Sequence, residues 1–186
     1  MEALLISDKE YSGKGYQKLK EEIVGFLETK GYNTKSMEIG SDTLTFCKGC
    51  FGCWIKKPGE CVINDAMSQI NHCYMNSDLV LYLSPIIFGQ FSANIKNTLD
   101  RSIPNVLPFF EVKADGTTAH PQRYTNYPRR IIIGFGDGIS EEDEQLFLDI
   151  TSKHLKTIEI LVHHEASESF AETLNKIKLA KAGEQL

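Results

Sequence analysis

Short apolar runs rich in β-branched residues recur at Ala3 to Ile6, Lys35 to Ile39, Leu79 to Leu83, Ile131 to Phe135 and Ile158 to Val162, each bounded by glycine, serine, proline or charge. Their brevity and continuity predict five strands buried on both faces. Between them the apolar positions adopt helical spacing: Tyr16, Leu19, Ile23 and Leu27; Met67, Ile70 and Tyr74; Phe91, Ile95 and Leu99; Phe147, Ile150 and His154; and Phe170, Leu174 and Ile177. Strand and amphipathic helix alternate throughout. This pattern predicts an α/β protein with a doubly wound, five-stranded parallel sheet of order 2-1-3-4-5, whose ligands bind beyond the carboxyl ends of the strands.

With 186 residues the chain is expected to form one domain with a substantial core. One stretch breaks the alternation. Residues 104–128 hold four of the six prolines together with Phe109, Phe110, Tyr124 and Tyr127, and are too long for a plain connection, so they read as a lid or a subunit contact. A formal net charge of -5 argues against a nucleic-acid partner, which needs a basic face. No apolar run approaches the roughly 20 residues of a membrane span, and the N-terminus lacks the basic and apolar regions of a signal peptide. The expectation is a cytoplasmic protein with no membrane partner.

In a reducing compartment, clustered cysteines read as ligands or redox groups rather than disulfides. Four of the five lie between Cys47 and Cys61, as Cys47, Cys50, Cys53 and Cys61 in the spacing C-x2-C-x2-C-x7-C. Thiolates two residues apart can converge on one centre when a tight loop aims them together, and Gly49 and Gly52 supply the backbone freedom for it. Zinc suits four thiolates equally well, and uncoordinated thiols lining a loop are a third reading. Cys73 stands apart and reads as a small buried apolar residue.

Three segments are expected to meet at the carboxyl edge of the sheet. The first, Ser7 to Tyr16, offers the hydroxyls of Ser7 and Ser12, Lys9 and Lys14, and Gly15 at a helix N-terminus, where backbone N–H groups and the helix dipole favour a phosphate. It also reads as an ordinary strand-to-helix turn. The second, Ser84-Pro85-Ile86-Ile87-Phe88-Gly89, reads as a proline-fixed loop whose amides and apolar groups suit a planar heterocycle. The third, Gly134 to Ile139, lacks the last glycine of a dinucleotide fingerprint and reads as a flexible turn, with Gly136 beside a flat ring. Asp100 and Arg101 read as a solvated helix end or a subunit ion pair. His120 reads as an incidental loop histidine, and the adjacent strand histidines His163 and His164 face opposite ways.

Cys47 to Trp54, Gly59 to Asp65, and Ser84 to Arg101 together resemble the NADPH-dependent FMN reductase family, most of all its iron–sulfur flavoprotein branch. The resemblance covers nearly the whole chain and implies a flavodoxin-like fold, bound FMN and a homo-oligomer (dimer or tetramer) with flavin near a subunit boundary. It aligns Ser7, Ser12, Lys14, Gly15 and Tyr16 with phosphate contacts and Pro85 to Gly89 with ring contacts. It implies a 4Fe–4S cluster on Cys47, Cys50, Cys53 and Cys61. The chain departs from the family at Ser7-Asp8-Lys9 and Lys14-Gly15-Tyr16, where a Gly-Ser-x-Arg start and an Asn-Thr or Asn-Ser pair are usual, and at Ala66, where relatives often carry a second aspartate.

The resulting expectation is an FMN-dependent oxidoreductase in which the flavin does the chemistry and no dedicated acid or base is required. With a cluster it relays electrons between a ferredoxin-like donor and a soluble acceptor. Without one it moves hydride from NAD(P)H to flavin and on to a quinone or other small acceptor. A zinc-binding non-enzymatic module is the alternative of another class. A phosphorylation receiver fits poorly, because Ser84-Pro85 stands where its aspartate belongs.

Overall fold

A computed structural model describes residues 1–154, 159–165, 169–177 and 179. In chain order these form β1 (Glu2–Asp8), α1 (Lys14–Thr29), β2 (Asn33–Ile39), α2 (Gly52–Ile55), α3 (Met67–Met75), β3 (Leu79–Ile87), β4 (Gln90–Phe91) and α4 (Ala93–Asp100). A 3-10 turn at Ile103–Asn105, β5 (Glu111–Val112), β6 (Thr118–Ala119), β7 (Arg129–Gly136), α5 (Glu141–His154), β8 (Glu159–His164) and α6 (Phe170–Lys176) follow.

Five parallel strands pair in the order β2-β1-β3-β7-β8, which is the doubly wound flavodoxin-like arrangement. The central strand β3 is buried from Leu79 to Pro85, as helices on both faces require. Strand alternation divides the core in two. Leu5, Leu81, Leu83, Ile131, Ile133 and Phe135 pack beneath α1 and α6, while Leu4, Ile6, Val80, Tyr82 and Ile132 pack against α3, α4 and α5. Helix α1 buries the stripe Tyr16, Leu19, Ile23 and Leu27. Fully burying an aliphatic side chain of this kind stabilises the fold by about 1.5–3 kcal/mol. No helix among the described residues is long and apolar enough to cross a membrane.

The structure revises several boundaries. Strand β3 continues four residues past Leu83, so Ser84 to Ile87 are strand rather than loop, with Pro85 opposite Phe135. Phe88 and Gly89 form a two-residue turn, both at positive φ, that folds the chain back into β4 as a sixth, antiparallel strand. Phe91 therefore lies in β4, against Phe147, and α4 starts at Ala93 after a Ser92 cap. Residues 104–128 are not wholly irregular: β5 and β6 pair as a small antiparallel sheet, and Val106 bridges Gln122. Ile158, the expected start of the last strand, lies outside the described residues, as does the His154 side chain. Cys73 is half-buried rather than core, with the Lys35 ammonium donating to its sulfur at 3.2 Å.

Tyr16 ties helix to sheet. Its fully buried hydroxyl donates to the Leu83 carbonyl at 2.7 Å and accepts from the Asp8 N–H at 2.8 Å. Burial pushes the phenol up to a value no ordinary pH reaches. Tyr16→Phe leaves two buried backbone groups short of a partner and is expected to lower stability by about 1–3 kcal/mol. Urea denaturation checks this, and an unchanged midpoint would show that the hydroxyl contributes nothing.

Candidate functional site

The first candidate site lies where β1 hands over to α1. Helix α1 begins after Gly13 without a side-chain cap and without an acidic residue in its first turn, so the N–H groups of Lys14, Gly15 and Tyr16 have no intrahelical acceptor. Ser7 lies on the α1 face of the sheet with Leu5, and its fully buried Oγ has no hydrogen-bond partner. Ser12 and Lys14 are exposed beside this turn. Tyr16 can offer only its backbone, because its hydroxyl is committed to the core. Lys9 points elsewhere, pairing with Asp42 at 2.5 Å. Glu10 accepts from the Ser41 N–H at 2.6 Å, and the hydrogen bonds from Ser41 hold its carboxyl below the usual carboxylate range. The loop is thus fastened to the segment after β2.

Glu165 also enters this site. Its Oε1 lies 1.9 Å from where a Cβ on Gly15 would sit, so a side chain at this position would displace the exposed carboxylate. A negative group against the first turn of a helix is favoured by the helix dipole. The charge is felt by Tyr11, whose phenol is raised by burial first and then by Glu165 and Asp137. Glu165 follows β8, and its N–H donates to the Gly136 carbonyl at 3.0 Å, which brings Gly136 to the same edge. A Cβ at Gly136 would meet Ile139 at 2.7 Å, so this glycine is covered by Ile139.

The β3–β4 hairpin forms the neighbouring wall. Ser84 is not available to a ligand: its buried hydroxyl donates to the Pro85 carbonyl and accepts from the Ser92 N–H at 3.1 Å. Pro85 is buried and Ile86 partly so, whereas Ile87 and Phe88 are exposed, Phe88 by 87%. Gly89 is buried under Leu146. Asn94, in the first turn of α4, donates to Asp8 at 3.0 Å, and Asp8 also accepts from the Glu10 N–H at 2.8 Å. The hairpin, α4 and the β1–α1 loop are therefore held as one edge.

The second candidate site is the cysteine loop after β2. Cys47, Cys50, Cys53 and Cys61 line one cavity of about 90 Å³ together with Phe51, Ile63, Arg101, Ile103 and Pro104. The short helix α2 follows Phe51, which adopts a left-handed conformation at φ 53°, and places Cys53 on its buried side. A side chain at Gly52 would strike Val62 at 2.8 Å, so glycine here lets the two arms of the loop close. Burial pushes the Cys53 thiol up, and Cys61, Cys50 and Cys47 reinforce the shift, which places the four sulfurs within electrostatic range. Among the described residues, no three histidine, cysteine or acidic side chains converge closely enough to ligate one metal ion.

Arg101 departs from expectation. It is neither solvated nor part of an exposed pair: its side chain is 1% exposed and lines the cysteine cavity. Nη1 donates to the Thr45 carbonyl at 2.8 Å and to the Asp65 carboxylate, Nη2 donates to Cys61 Sγ at 3.1 Å, and Nε is buried with no hydrogen-bond partner. Asp100, by contrast, is exposed and pairs with Lys96 at 2.5 Å. Burial alone would raise the Asp65 carboxyl, but the Arg101 guanidinium and the N–H groups of Met67 and Thr45 outweigh it and hold it below the usual carboxylate range.

Trp54 fixes the loop to residues 104–128. Its indole N–H donates to the carbonyls of Ile103 and Val106 at 3.2 and 3.0 Å, and its ring stacks on Phe51 with centroids 5.4 Å apart. His120 packs among aromatic rings. Its ring lies 5.0 Å from Trp54 and 4.7 Å from Phe110, so the segment covers the cysteine loop through aromatic contacts. His163 is buried and bonded to Thr173, while His164 turns the other way to Glu144 at 3.0 Å.

Fold and edge geometry together define a flavodoxin-like α/β protein with a cysteine loop after β2, beside the carboxyl edge of its sheet. NAD(P)H:quinone oxidoreductase from Methanothermobacter marburgensis shares this fold, with a TM-score of 0.69 at 10% identity over 95% of this chain and 92% of that one. In sequence the chain is similar to the iron–sulfur flavoprotein of Archaeoglobus fulgidus, 28% identical over 117 residues, which are 59% of this chain and 52% of that protein. It is similar also to an iron–sulfur flavoprotein of Methanocaldococcus jannaschii, 31% identical over 86 residues, or 46% of this chain and 44% of that protein. The chain thus spans about half the length of the curated relatives it matches. No protein-family profile matches it.

The Asp65–Arg101 pair carries a pH signature. A carboxyl whose folded pKa is depressed contributes stability that is complete above its unfolded pKa and is lost as pH falls through the folded value. Urea denaturation at about pH 7 and about pH 3 is expected to show a larger loss for the wild type than for Asp65→Asn. Equal losses would contradict the role assigned to the pair.

Proposed function

We propose that this protein is an FMN-dependent oxidoreductase that exchanges electrons between flavin and a soluble partner by way of a 4Fe–4S cluster on Cys47, Cys50, Cys53 and Cys61. The observation that carries this reading is the placement of α4. Its Ser92 cap is bonded to Ser84 at the ligand edge, and its C-terminal Arg101 lines the cysteine cavity, so about 12 Å of helix joins the two sites.

The residues fit both groups. The unpartnered Ser7 hydroxyl, the first-turn N–H groups of α1, Ser12 and Lys14 suit a phosphate. The backbone of Pro85 to Gly89, with Ile87 and Phe88 exposed beside it, suits one face of a flat ring, and Gly136 borders the same edge. The four sulfurs border a cavity lined also by Ile63, Ile103 and Pro104 and by a buried cation, with Cys47 and Cys50 exposed and Cys53 buried, and they suit an iron–sulfur cluster, whose net charge is negative. When bound, the flavin and the cluster supply the redox chemistry. The protein's part is to hold the ring against the hairpin, to anchor the phosphate at α1 and to present the four thiolates from one loop. No side chain is assigned as an acid or base.

The names of the sequence relatives and the quinone-reductase fold support this reading. A ferredoxin-like protein or a small molecule such as a quinone is the partner class we assign, with NAD(P)H as a possible co-substrate. The exposed Phe46, Ile55, Phe109 and Phe110 support a homo-oligomer. We assign a cytoplasmic place with neither nucleic acid nor membrane as partner, and the net charge of -5 supports the exclusion of nucleic acid. A second reading, an NAD(P)H-dependent FMN or quinone reductase without a cluster, is favoured by the exposure of Cys47 and Cys50.

Purification without oxygen, with a visible spectrum and assays of flavin, iron, acid-labile sulfide and zinc, tests the assignment. The expected result is flavin bands with a broad cluster shoulder and stoichiometric iron and sulfide. Flavin alone selects the second reading, and zinc without flavin selects a structural module. Glu165→Gln removes a negative charge from the phosphate position and is expected to tighten FMN binding about threefold to tenfold, measured by fluorescence titration. Unchanged affinity would place the phosphate elsewhere.

A further inference from the structure

We infer that Arg101 and Asp65 form a charge-setting pair for the cysteine site, fixing the potential at which an electron enters it. The inference rests on the cluster reading above. Its observations are those of the protein itself: a buried guanidinium, bonded to the sulfur of Cys61 at 3.1 Å through Nη2 and to Asp65 through Nη1, lining the cavity shared by all four sulfurs. Its Nε, buried without a partner, shows that Thr45, Asp65 and Cys61 do not exhaust its donors. A structural ion pair alone needs no sulfur contact. The Asp65 carboxylate is met by Nη1 and by the N–H groups of Thr45 and Met67, so the Nη2 donor is surplus to the pair and is directed at Cys61.

Adding one electron to a cluster held by four thiolates adds one unit of negative charge, with no bond broken and no proton required. The electron comes from reduced flavin or a ferredoxin-like donor in the protein's proposed work, and from dithionite in the experiment. A buried cation donating to a ligand sulfur favours the more negative, reduced state and raises the potential. Asp65 opposes it, since its carboxylate, bonded to Nη1, offsets the charge of the guanidinium. The two residues therefore act with opposite signs.

Potentiometric titration of the anaerobic protein, followed by electron paramagnetic resonance and accompanied by iron and sulfide assays, tests this on the wild type, Arg101→Met, Arg101→Lys and Asp65→Asn. The potential is expected to fall in Arg101→Met and to rise in Asp65→Asn, with Arg101→Lys, which keeps the charge, shifted less than Arg101→Met. Disruption of a merely structural pair would move both neutral variants the same way, or neither. Either of those results in protein that holds its cluster overturns the inference and leaves the cluster reading intact. Should Arg101→Met not fold, the rise in Asp65→Asn and the near wild-type potential of Arg101→Lys decide the matter. Wild-type protein without iron and sulfide overturns the cluster reading and this inference together.

Discussion

A guanidinium withdrawn from water carries an effective desolvation cost of several kcal/mol, and the protein recovers it only by surrounding the cation with acceptors. For Arg101 those acceptors come from the ends of the loop that carries the cysteines: the Thr45 carbonyl before Cys47, the Cys61 sulfur, and the Asp65 carboxylate before α3. The cation is held at the C-terminal end of α4, where the helix dipole favours positive charge. The loop has little regular structure beyond the four residues of α2. Arg101 therefore holds the loop's ends together, alongside the Thr45 N–H to Asp65 bond, and Trp54 secures it against Ile103 and Val106.

The two candidate sites share a sheet edge because the strand order brings β1, β2 and β3 side by side. Parallel strands all end on the same side, so the β1–α1 loop, the cysteine loop after β2 and the β3–β4 hairpin are neighbours. Polar contacts fasten them. Tyr16 joins α1 to β1 and β3, Asn94 joins α4 to Asp8, and Glu10 joins the first loop to Ser41. Against this rigid scaffold Glu165 is the exception: an exposed carboxylate at the end of β8, placed where the helix dipole would hold a phosphate.

Much of the sheet was legible in the sequence, since near-continuous apolar runs and the helical stripes of α1 and α3 are local patterns. The hairpin at Phe88-Gly89 was not, because Pro85 and Gly89 resemble the residues of an irregular loop, and the strand is extended by pairing with β7 as far as Pro85 and with β4 at Ile86 and Ile87. The cysteine spacing announced a loop with shared chemistry. Arg101 gave no such signal: its partners lie 36 and 40 positions away, and an arginine closing a helix after Lys96 and Asp100 looks solvated in the sequence. Ser84 and Tyr16 suggested ligand contacts by residue type, yet their hydroxyls are consumed inside the fold. Glu165 carried no pattern at all, and its approach to Gly15 follows from the neighbouring positions of β8 and α1 in three dimensions.

The central claim is that the Arg101-clamped loop gathers four thiolates around iron at the ligand edge of the sheet. X-ray absorption at the iron edge of protein isolated without oxygen tests it most directly. A sulfur-only first shell with iron neighbours beyond it, lost in Cys50→Ser, is the predicted result. Iron with oxygen or nitrogen neighbours, a centre unaffected by that substitution, or sulfur-bound zinc in place of iron would contradict it.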